Sequence, residues 1–146
     1  MMQELSRLLC LAGACPFVVL GVAHAVATPQ AVGERKGLSP ADPALAEAMV
    51  RARPRLTGRT DMWRAWVGFN LSHSLGVVLF GALVLLMGRS PNVFAAQARL
   101  FVPLAVGVSV LYLVLAARYW FRTPIIGCAI SVACFAMSWA ALAFGS

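Results

Sequence analysis

Residues 62–87 form a 26-residue apolar run broken by one compact polar block, Asn70, Leu71, Ser72, His73 and Ser74. A helix needs roughly 20 apolar residues to cross a bilayer, so the run predicts a spanning helix that is long enough to tilt. Polar groups inside hydrocarbon are costly unless protein answers them, so the block should face inward. At about 100° per residue, Trp66, Asn70, His73, Ser74 and Val77 share one face. Gly68, Ser72 and Gly76 share nearly the opposite one, a small-residue row of the kind that lets a second helix approach closely. Both faces should therefore be occupied, with this helix central in a bundle.

The rest of the chain fits the same solvent. Of 146 residues 61% are hydrophobic and only 12% charged, too few charges for the surface of an ordinary soluble domain. Further apolar spans are expected at about 8–27, 99–118 and 124–144, which makes one membrane domain. The fold class is all-α, a transmembrane four-helix bundle running up, down, up and down. The four cysteines, Cys10, Cys15, Cys128 and Cys134, lie in apolar runs at spacings that match no zinc pattern, and read as small buried apolar residues.

The long connection, residues 28–61, concentrates charge: Arg35, Lys36, Arg51, Arg53, Arg55 and Arg59 lie there. A single basic loop without a recognition fold excludes specific nucleic-acid binding. It suits anionic lipid headgroups instead, through residues 35–59. Asp42 as N-cap with Pro43 at the first helical position predicts a short helix. Its Leu45, Ala48, Met49 and Ala52 side would lie along the membrane interface, and Pro54 would end it. Asp61 reads as the cap of the next span, with Trp63, Arg64 and Trp66 as interfacial anchors. Residues 88–92 read as a turn, and Pro103 as lying near the start of the third span.

The first span carries a rival reading, because Ala25, Val26 and Ala27 resemble a signal-peptide cleavage site. The length of the apolar run, Glu4 beside Arg7, and the basic loop that follows favour a retained helix. Basic residues also set orientation. The side holding the first and last loops carries eight Lys or Arg against three, Arg7, Arg89 and Arg99, on the other, which puts the first loop in the cytoplasm and both termini outside. The expected location is a bacterial inner membrane.

Candidate chemistry centres on His24, Asn70, His73 and Ser74. At about 1.5 Å per residue, His24 and Asn70 lie roughly 10 and 7 Å from their span centres on the same side, with His73 about 3 Å out. An imidazole and a carboxamide near one level can exchange a hydrogen bond. The leading reading is an interhelical bond that fixes the first hairpin. A pocket for a small molecule, lipid or quinone on the Asn70 and His73 face is the alternative, and a haem held by His24 and His73 a third, since haem iron takes axial histidines. No Asp or Glu lies inside a span, which removes the intramembrane carboxylate of a proton-coupled exchanger and the acid–base pair of many enzymes. A non-catalytic membrane component or accessory subunit is favoured over an enzyme. On the fourth span Gly127, Ser131, Cys134, Ser138, Ala141 and Gly145 form a seam of small residues, for which a homodimer through residues 127–145 is expected.

The string Trp66, Gly68, Phe69, Asn70, Ser72, His73, Ser74 and Gly76, written W-x-G-F-N-x-S-H-S-x-G, resembles a family of small bacterial four-helix integral membrane proteins. The likeness extends to the His24 helix end, Thr57, Gly58, Arg59, and Pro124 to Gly127. It implies the architecture and brings no activity. In size and helix number the chain is also similar to DoxX-like membrane proteins, without a motif that carries a role across.

Overall fold

The computed structural model describes residues 1–144, and among them helices are the only regular elements, with no strand. Five helices follow in order: α1 Met2–Ala27, α2 Pro43–Arg51, α3 Met62–Arg89, α4 Pro91–Tyr119 and α5 Arg122–Phe144. All except α2 are long and apolar enough to cross a membrane. Within their most apolar windows only 22–33% of residues are buried inside the chain, so the outward faces are themselves apolar, with Leu79, Leu83, Leu100, Leu111 and Ile126 exposed.

Several boundaries differ from the sequence expectation, each for a local reason. α1 begins six residues earlier than expected, because Glu4 and Arg7 pair at 2.9 Å across its first turns. Residues 88–92 are not a loop. α3 runs through Gly88 to Arg89, Ser90 takes the extended N-cap conformation, and Pro91 opens α4, the position where a missing N–H costs least. Pro103 consequently lies well inside α4. At the last connection Trp120 caps α4, and α5 starts at Arg122 rather than at Pro124.

Packing divides the chain into two compact units, Met1–Leu20 with the chain from Val77 onward, and Gly21–Gly76. The first unit gathers stretches of α1, α3, α4 and α5 around one core that includes Cys10, Ala14, Phe17, Val84, Phe94, Val102 and Phe135. Phe17 is its hub. Its ring meets Phe80 of α3 edge-on at 4.8 Å, Tyr112 of α4 at 5.4 Å and Phe135 of α5 at 6.4 Å between centroids, aromatic geometries that add to plain burial.

Close approach in this unit depends on glycines. A Cβ at Gly81 would stand 2.8 Å from Val18, 3.1 Å from the Ala14 carbonyl and 3.1 Å from the Phe17 Cβ. At Gly13 it would stand 2.8 Å from the fully buried Phe135 ring. Polar groups close the same interface. Ser6 Oγ donates to the Ser138 carbonyl at 2.9 Å and Ser138 Oγ donates to the Ser6 carbonyl at 2.8 Å. Arg7 donates to the Gly88 carbonyl at 2.9 Å.

The small-residue seam of α5 is thus filled by α1 of the same chain. Gly127 faces Leu20, Cys134 and Phe135 face Gly13, and Ser138 holds Ser6; Gly145 lies outside the described residues. Within one chain, α1 therefore covers the described part of the face through which a dimer was expected. The small-residue row of α3 is more open. Gly68 and Gly76 have open space where a Cβ would stand, and Ser72 beside them is exposed, its hydroxyl bonded to the Phe69 carbonyl. Among the described residues of the second unit, nothing packs closely against that row.

The second unit holds the end of α1, the connection, α2 and the start of α3. Asp42 caps α2 by accepting from the Ala44 N–H at 2.9 Å, and Asp61 caps α3 by accepting from the Arg64 N–H at 2.8 Å. Ala46 is the buried residue of α2, while Leu45, Ala48 and Ala52 are exposed. Trp63, expected as an interfacial anchor, is buried and packs against Trp66 at 5.5 Å. Between α1 and α2 the chain turns at Gly33, whose φ of 91° strains any residue with a Cβ. The Gln30 N–H and the Lys36 ammonium bond the Glu34 carboxylate at 3.1 and 3.2 Å and hold its carboxyl below the usual value.

Two outcomes follow. Gly13→Ala and Gly81→Ala should each lower stability by about 1–3 kcal/mol through overpacking, while Gly68→Ala and Gly76→Ala should stay within about 0.5 kcal/mol of the parent; thermal unfolding in detergent measures both. A depressed carboxyl supports the 30–39 turn above the ordinary carboxylate range, and that support is lost as pH falls through the lowered value. Amide exchange at Gln30 should accelerate on acidification relative to the intrinsic rate, and Glu34→Gln should remove the pH dependence.

Candidate functional site

Helical periodicity brings Asn70 and Ser74 of the polar block to the buried side of α3, with His73 half-buried beside them and Ser72 outward. Asn70 is 5% exposed and Ser74 is buried one turn further on. The Asn70 side-chain amide donates to the Trp66 carbonyl at 2.8 Å, a backward bond within the helix. That assignment leaves Oδ1 as acceptor, and His24 Nε2 lies 3.0 Å from it. His24 therefore carries its proton on Nε2 toward Asn70.

The remaining members complete a small network. Ser74 Oγ donates to the Asn70 carbonyl at 3.0 Å. Thr28, fully buried just beyond the end of α1, donates its hydroxyl to the His24 carbonyl at 2.8 Å, and its N–H bonds the same oxygen at 3.1 Å. The His73 ring stands edge-on to the His24 ring, with centroids 5.2 Å apart and planes 68° to each other. All four residues singled out from sequence are thus gathered in one place, in the second unit.

Thr28 was not foreseen as part of this cluster. It follows His24 by four residues, a spacing at which a threonine hydroxyl can reach back to a helix carbonyl, but it reads as the first residue of a loop. The Trp66 carbonyl likewise has no sequence signature beyond the i−4 position of an asparagine. Outside the cluster the Ser6–Ser138 pair was also missed, because Ser6 precedes the expected first span. The signal was present in the row Ser6, Cys10 and Ala14, spaced four apart and entirely buried.

The arrangement limits the chemistry. A haem held by both histidines needs the rings opposed across the plane of the macrocycle, whereas these two rings meet edge to face and His24 Nε2 is engaged by Asn70. Among the described residues no three of His, Cys, Asp and Glu come together to hold a metal ion. No protein family, no curated protein and no solved structure matches the chain.

A double-mutant cycle with His24→Ala and Asn70→Ala should give a coupling of about 0.6 to 1.7 kcal/mol, the range of interhelical hydrogen bonds in membrane proteins. His73→Ala should cost less than Asn70→Ala, since Asn70 carries two bonds and is the more deeply buried. Unfolding in a mixed-detergent titration reads all four variants.

Proposed function

We propose that this chain is a multi-pass protein of a bacterial inner membrane that serves as a non-catalytic component, with the His24, Asn70, His73 and Ser74 cluster holding its first hairpin together. One observation carries the reading: each side chain of the cluster is already engaged, Asn70 through both its oxygen and its nitrogen. A site that waits for a ligand keeps donors or acceptors aimed into a cavity.

The up-down-up-down course is supported by contacts inside the first unit. The start of α1 meets the ends of α3 and α5 through Arg7–Gly88 and Ser6–Ser138, while Leu20 meets Gly127 near the start of α5. The connection of one residue between α3 and α4, with Ser90 extended before Pro91, also favours a reversal of direction. At about 1.5 Å per residue α4 would extend roughly 43 Å, past a hydrocarbon layer of roughly 30 Å. Asn92, Gln97 and Arg99 then emerge on one side. α2, with Leu45 and Ala48 outward and Arg51 paired to Glu47 at 3.5 Å, lies along the headgroups on the cytoplasmic side with the basic loop.

Purified in mild detergent, the protein should be colourless above 350 nm by an order-of-magnitude margin relative to a stoichiometric haem, about the strongest absorber such a site would hold. Mass spectrometry of its extract should find no quinone or other small molecule at the protein's own concentration. A Soret band or a stoichiometric quinone would replace this reading with the redox one. Resistance to alkaline carbonate extraction tests the membrane assignment independently.

A further inference from the structure

The connection ends in a closed loop whose construction the cluster does not explain. The Met62 N–H donates to the Ala52 carbonyl at 3.0 Å and ties the two ends together, so that residues 52–62 close on themselves immediately before α3. The tip is built. The Thr57 N–H bonds the Pro54 carbonyl at 3.3 Å, the Arg59 N–H bonds Thr57 Oγ1 at 3.1 Å, and the Arg53 guanidinium donates to the Gly58 carbonyl. On this braced turn Leu56 is 97% exposed. A leucine held out by a structured turn is a different object from one on a slack tail, because its exposure is fixed by the hydrogen bonds beneath it.

Charge defines what it meets. Lys36, Arg51 and Arg64 pair with Glu34, Glu47 and Asp61. No carboxylate among the described residues pairs with Arg55 or Arg59, which flank Leu56 on the exposed surface. We propose that the 52–62 loop docks on a bilayer surface containing anionic phospholipid, with Leu56 entering the acyl boundary and Arg55 and Arg59 binding lipid phosphates. This rests on the multi-pass reading above, since the occupant follows from position: the loop is joined without a spacer to the first residue of α3. Guanidinium forks match phosphate oxygens in two-point hydrogen bonds, and a basic segment beside a span gains from an anionic leaflet. Its own braces satisfy backbone groups that would otherwise resist leaving water. Arg53 is already turned inward to Gly58, and so belongs to the brace and not to the lipid contact.

The test uses the full chain in nanodiscs of phosphatidylcholine alone or with phosphatidylglycerol. Hydrogen–deuterium exchange over residues 53–60 should slow by up to roughly thirtyfold in the anionic discs, the order expected of two arginines near such a surface. High salt should weaken the protection. R55Q/R59Q should abolish the difference, and Leu56→Asp should reduce it; both alter exposed side chains, and retained protection in α3 reports that the variants fold. Equal exchange in the two discs would overturn the proposal, as would equal protection in both. Protection that follows the number of chains per disc instead of lipid charge would assign the loop to a protein contact and overturn it too. Failure of the membrane reading would show separately, as chain that does not enter discs of either composition.

Discussion

Hydrocarbon offers a hydroxyl or an amide nothing to bond, so each polar side chain placed in a membrane span must be answered by the protein itself. In this chain the answers come in two ranks. Ser72, Ser74 and Ser109 turn back on carbonyls of their own helix, Ser74 on that of Asn70. Asn70 and Ser138 reach another helix, at His24 and Ser6, and these are the contacts that select one packing from many apolar alternatives. Lipid tails and leucine side chains are equally apolar, so burial alone would not make the choice.

Close packing supplies the second selection. Gly13 and Gly81 admit the Phe135 ring and the α1 backbone at distances a methyl group would forbid, and Phe17 joins three other helices through one ring. Ser131 stands apart in α5, fully buried and, among the described residues, without a hydrogen-bond partner for its hydroxyl.

The helices and the polar cluster were legible because both rest on period and depth. Asn70, His73 and Ser74 share a face by spacing alone, and counting the rise along two spans puts His24 level with Asn70. What the sequence concealed was which helix meets which small residue. Gly68, Ser72 and Gly76 and the α5 seam are both rows of small residues at helical spacing, yet α1 lies against the α5 seam while a Cβ at Gly68 or Gly76 would meet nothing. The difference depends on the partner's matching surface, Ser6, Cys10, Ala14 and Phe17, and on how far α1 extends beyond its apolar stretch. Ser90 and Pro91 misled for another reason, since the same pair signals a turn and an N-terminus, and a connection of one residue is both at once.

The serine pair also orders events in time. Ser6 and Ser138 stand 132 residues apart in the chain, and ribosomes deliver them in that order. During most of synthesis the first helix lacks the partner for its hydroxyl and a wall for its row of small residues. Only when α5 emerges does the groove along α1 find its complement. Assembly of the first unit therefore waits for α5, and a chain stopped before α5 would leave the Ser6 hydroxyl and the small-residue row of α1 uncovered for quality-control proteases to recognise.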